Sequence, residues 1–95
     1  MKSTQITKLA KVVSKLDAMI LEATVVYKEI LGDEMEKADQ VEQVINSAKE
    51  SGSMTQSDLD QVQQLMKERN EINSDRVDVE RFVDSLRSAR KGIFG

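Results

Sequence analysis

The sequence predicts an all-α fold, a long antiparallel helical hairpin whose first arm is kinked or broken near Gly32, assembled as an oligomer. Three observations carry that expectation. Proline, cysteine, tryptophan and histidine are absent, and the aromatics are Tyr27, Phe82 and Phe94 alone, so the chain lacks the turn and strand residues of a sheet protein. Apolar residues recur in steps of three and four over most of its length, the period of one helical face. One stretch, ESGSMTQSDLD at 50–60, breaks that recurrence with small and turn-forming residues. Ninety-five residues make a single helical domain, 1–95, with expected helices at about 4–31, 33–50 and 56–91 and a turn at 51–55. A chain of this size buries about two-thirds of its unfolded surface, which leaves a lone monomer marginally stable.

The first helix follows a heptad without a miss. Ile6, Val13, Ile20 and Tyr27 occupy one seam position, and Leu9, Leu16, Ala23 and Ile30 the other. Val12, Met19 and Val26 recur every seven residues beside that seam. Two apolar positions per heptad suit one companion helix, whereas three suit a helix that touches at least two neighbours. Val12, Met19 and Val26 are therefore the expected oligomer interface.

At KEILGDEMEK, residues 28–37, the pattern is disturbed. The first register carried forward places seam positions at 34, 37, 41, 44 and 48. Val41, Val44 and Ala48 fit, but Glu34 and Lys37 do not, and the nearby apolar residues Met35 and Ala38 are shifted by one. Asp33 and Glu36 have the spacing of a capping box, with Gly32 as the residue that ends the preceding helix. A bent or briefly interrupted arm is the expectation. A full reversal there would make a three-helix bundle instead.

After the turn, Thr55 and Asp58 form a second capping-box pattern and start the last helix. Leu65, Ile72, Val79, Leu86 and Ile93 recur every seven residues, accompanied by Val62, Arg69, Arg76, Val83 and Arg90. Gly92 is expected to end this helix and to leave Ile93 and Phe94 in an apolar tail, a natural peg for a neighbour's groove.

Charge is unevenly placed within a net −3. Residues 1–31 carry five lysines against three acids, residues 32–64 two lysines against eight acids, and residues 65–95 seven Lys and Arg against six acids. Folding at 51–54 pairs residues whose numbers sum to about 106, which brings Lys2, Lys8, Lys11, Lys15, Arg87, Arg90 and Lys91 to a basic end with Asp17 as its one nearby acid, and gathers Asp33, Glu34, Glu36, Asp39, Glu42, Glu50, Asp58 and Asp60 at an acidic one. Complementary ends steer association between copies. The seam arginines Arg69, Arg76 and Arg90 are expected to form interhelical ion pairs, Arg76 near Glu29 and Asp33 and Arg90 near Asp17. With Lys11 and Lys15 they also form the candidate site for a small phosphorylated ligand or other anion, the alternative function.

Several chemistries are poorly served by this composition. Without His or Cys a metal would rest on carboxylates alone, and DEMEKAD matches neither an EF-hand loop nor a Glu-x-x-His pattern. The hydroxyls have no histidine to activate them, and the four glycines are scattered rather than gathered into a phosphate loop. The expectation is a protein that is not an enzyme and needs no cofactor. Direct nucleic-acid binding, which needs a basic helix with base-reading side chains or stacking aromatics, is disfavoured because Lys2, Lys8, Lys11 and Lys15 do not fall on one stripe and acids follow them. Lys8, Lys11 and Lys15 interrupt any leader-like apolar core, and the longest apolar run, AMIL, is too short to span a membrane, so a cytoplasmic location is expected.

In length and outline the chain resembles small secreted helical hairpins, those of the Trp-x-Gly type and the needle subunits of type III secretion. Its turn, ESGSMT, contains neither a Trp-x-Gly nor a proline, so the outline carries no function with it. The expected function is that of a non-enzymatic, self-associating helical interaction protein: an assembly subunit, adaptor, chaperone or small inhibitor that binds itself and another protein.

Overall fold

A computed structural model describes residues 3–94, and for Phe94 the backbone only. It contains two α-helices, α1 over Ser3–Ser51 and α2 over Gln56–Phe94, and no strand among the described residues. The turn forms where the apolar period fails. Gly52 adopts a positive φ of 79°, and its N–H donates to the Lys49 carbonyl at 3.2 Å, the left-handed geometry that ends a helix most cheaply at glycine. The Ser51 hydroxyl lies 3.0 Å from the carbonyl oxygens of both Ala48 and Ser53 and ties the last turn of α1 to the loop.

α2 begins on the capping box. The Asp58 N–H donates to Thr55 Oγ1 at 3.1 Å, and the Thr55 N–H donates to Asp58 Oδ2 at 3.0 Å. Two of the amides that a helix start leaves without intrahelical partners are thereby satisfied reciprocally.

Two expectations about helix ends are corrected. α1 runs through Gly32 as one helix of 49 residues, so Asp33 lies inside it and caps nothing. Gly32 does not take a positive φ, and its position is exposed. A glycine inside a helix costs about 1 kcal/mol relative to alanine, less than interrupting the hydrogen-bond ladder and the side-chain packing on either side. Likewise Gly92 does not end α2, which continues to Phe94.

The chain divides into two compact units. A terminal unit lies within Met1–Lys28 and Asp78–Gly95, and a turn unit comprises Glu29–Val77. In the terminal unit the helices pack through Ala23, Val83 and Leu86, with Leu16, Ile20 and Val79 against them. These are the seam residues of both heptads, and alternate steps of three and four place them on facing sides. Among the described residues, only Val13, Ala23, Ala48, Val83 and Leu86 are buried hydrophobics, and no side chain is sealed completely from water. Two helices alone enclose little.

Candidate interaction surface

In the turn unit the unbroken helix carries the first register past Gly32, so Glu34 and Lys37 sit at seam positions facing α2. Each finds a partner there. Glu34 Oε1 accepts from the Asn73 amide at 2.9 Å, and Glu34 Oε2 accepts from Arg76 Nε at 2.6 Å. The Glu34 and Arg76 side chains retain only 12% and 21% of their exposure. Lys37 Nζ lies 2.9 Å from Glu68 Oε2, and Gln64 donates to the other Glu68 oxygen at 3.2 Å from one turn earlier on α2.

The titrations follow from this geometry. The Asn73 amide, and then the Arg76 guanidinium, hold the Glu34 carboxyl below its ordinary range. The hydrogen bond from Lys37 does the same for Glu68, and reciprocally Glu68 raises Lys37. Each partner stabilises the charged form of the other.

The seam arginines divide. Arg90 Nε donates to Asp17 Oδ1 at 2.6 Å, as the hairpin pairing predicts. Arg76 pairs with Glu34, the neighbour of Asp33. Arg69 is exposed, and its charge adds to the field that keeps Glu34 ionised. Arg69 and Arg76 belong to the turn unit, whereas Arg90, Lys11 and Lys15 belong to the terminal unit. Lys11 and Lys15 are exposed and, among the described residues, make no ion pair.

The terminal unit displays a different surface. Val12, Met19 and Val26 are 45%, 44% and 44% exposed, although each sits one residue ahead of a seam residue: Val13, Ile20 and Tyr27 respectively. Phe82 is 50% exposed and stands in the same relation to the buried Val83 on α2. In an antiparallel helix pair, the positions one residue ahead of the first seam position lie on the same flank of both helices. Phe82 thus extends the Val12–Met19–Val26 column across to α2. Sequence reasoning passed over Phe82, yet its seven-residue spacing from the small apolar Ala89 and its place beside Val83 were available as the signal. Ile93 is half-buried, and the Phe94 side chain falls outside the described residues.

Other features offer less chemistry. A shallow groove of about 260 Å³ in the terminal unit is lined by Thr24, Tyr27, Lys28, Glu80, Val83, Asp84 and Arg87, where two cations face two carboxylates and favour neither sign of ligand. Among the described residues no group of three or more His, Cys, Asp or Glu side chains is placed to hold a metal ion, and no helix is long and apolar enough to cross a membrane. No family model matches the chain, and no curated protein or solved structure matches it either.

Proposed function

We propose that the protein is a non-enzymatic helical interaction protein that works by associating with copies of itself, as an assembly subunit, adaptor, chaperone or small inhibitor of another macromolecule. The observation that carries this reading is the Val12–Met19–Val26 column, left 44–45% exposed beside a seam that is already occupied, with Phe82 at 50% on the same flank. Contiguous apolar surface of this kind marks sites of protein association. Charge bears on encounter. By sequence the terminal unit carries nine Lys and Arg against five acids, and the turn unit five against twelve, so opposite units of two copies attract and like units repel within a Debye length of about 8 Å at physiological salt.

The alternative, a binder of small anions, has less to work with. Arg76 and Arg90 already hold carboxylates at 2.6 Å, and an anion would compete with Glu34 and Asp17 for them.

Light scattering across a salt series tests the proposal. Association through apolar contact persists at about 0.5 M salt, where screening leaves charge steering only a few ångströms of reach. A protein that remains a monomer at about 100 µM under all salt conditions would refute self-association. A thermal shift with sulfate or nucleotides, in a protein that stays monomeric, would favour the anion reading instead.

A further inference from the structure

We infer that the Val12–Met19–Val26 column is covered by the same column of a second copy, packed antiparallel about a twofold axis at Met19. This rests on the self-association proposed above and assigns it a face, a partner and an orientation.

The argument comes from the charges that border the column. The next column outward on α1 contains Lys15 and Glu22, four residues before and three after Met19. Both are exposed and neither makes an ion pair with another described residue. Their own helix offers them nothing: the residues three and four away are Lys11, Val12, Ala18 and Met19 for Lys15, and Ala18, Met19, Val25 and Val26 for Glu22. Seven residues apart, they are separated by about 10 Å along the axis, too far to pair with each other.

An antiparallel copy centred on Met19 resolves this. Met19 then faces Met19 of the other copy, and Val12 faces Val26, since both valines lie seven residues from the centre. Equivalent flanking columns meet on the same side of an antiparallel pair. Lys15 of each copy therefore reaches Glu22 of the other, giving two ion pairs that bracket an apolar centre. A parallel pairing would bring opposite flanks together, setting the Lys15 and Glu22 column against the flank of Leu16 and Ala23 and leaving both charges without a partner. The twofold arrangement is self-complementary, as a closed dimer interface must be. Phe82 on the same flank widens the covered strip.

The natural absence of cysteine makes the test clean, because one introduced thiol reports one position. Met19→Cys on a twofold axis brings its thiol within disulfide reach of its twin. Treated with diamide, which accepts the two electrons and two protons that the paired thiols lose, it should form a linked dimer several-fold faster than Leu21→Cys. Leu21 is the more exposed of the two, 68% against 44%, but lies on another face of the helix. In parallel, Lys15→Glu and Glu22→Lys should each weaken self-association roughly tenfold, and the double exchange should restore it, because only that combination rebuilds both pairs. Circular dichroism on each variant verifies that the exposed substitutions leave the helices intact. Equal cross-linking at 19 and 21, or a double exchange no tighter than the single ones, overturns this assignment. If the unmodified protein self-associates but these variants do not alter it, the face is wrong and self-association stands. If it is a monomer at about 100 µM, self-association itself fails and this inference falls with it.

Discussion

The terminal and turn units use one heptad for opposite purposes. In the terminal unit the seam is apolar at its centre, at Ala23, Val83 and Leu86, and becomes polar only at Arg90. In the turn unit the same register delivers Glu34 and Lys37 to the seam, where they meet Asn73, Arg76 and Glu68. Apolar contact is strong but indifferent to register, since a slip of seven residues still sets aliphatic against aliphatic. A polar layer is weaker and particular. Slipping α1 by a heptad would put Tyr27 or Val41 where Glu34 stands, leaving Arg76 and Asn73 without a carboxylate to bond. We read the terminal unit as supplying stability and the turn unit as specifying alignment, a known use of polar seam residues.

The sharpest way to break this division is to weaken the apolar seam. Leu86 is 9% exposed within its cluster, and Leu86→Ala should cost about 2–3 kcal/mol, read as a lower urea midpoint by circular dichroism. A loss below about 1 kcal/mol would mean that the terminal unit is not the stabilising one.

The turn unit, with less apolar packing, should depend more on its caps. Thr55→Ala removes the acceptor for the Asp58 amide and should cost about 1 kcal/mol, and Gly52→Ala a similar amount, because alanine resists the φ of 79°. Gly32 is the contrasting glycine. It is helical, and an added Cβ would meet nothing within 4 Å, so Gly32→Ala should raise stability by about 0.5–1 kcal/mol. A destabilising Gly32→Ala would show that the glycine is needed for a bend or a close approach.

The smallest effect expected is the pH dependence of the polar layer, whose groups retain contact with water. The sign is set by direction of shift. Glu34 and Glu68 titrate below their ordinary 4.5 when folded, so their contribution is present above that value and is lost as pH falls through the lowered folded values. Lys37 is raised above 10.5, so its contribution is complete below that value and is lost as pH rises through the raised one. Thermal melts from pH 7 to 3 should fall less steeply for Glu34→Gln than for the unaltered chain. Identical slopes would mean that Glu34 does not couple to Asn73 and Arg76 in solution.

Most of the pairing was legible in the sequence. The heptad of residues 6–30, the Thr55–Asp58 cap and the sum near 106 anticipated the contact of Arg90 with Asp17. What escaped is instructive. Asp33 and Glu36 have cap spacing, but Asp and Glu four residues before Lys37 or near it are equally ordinary on a helix surface, and local pattern cannot separate the two. Continuity through Gly32 depends on packing from both sides, which one strand of sequence does not display. Glu34 and Lys37 looked like errors in the register because their partners lie about 30 to 40 residues away in sequence, where no local rule looks. Phe82 was visible as an aromatic, but only the pairing of the two helices places it on the flank of Val12, Met19 and Val26.

The measurement that bears most directly on the central claim is the mass of the unmodified protein by sedimentation equilibrium, at about 100 µM and about 0.5 M salt. Coverage of the Val12–Met19–Val26 column by a second copy predicts a mass at least twice the 10.7 kDa of one chain, falling toward one chain with Met19→Arg. A single species of 10.7 kDa would contradict it.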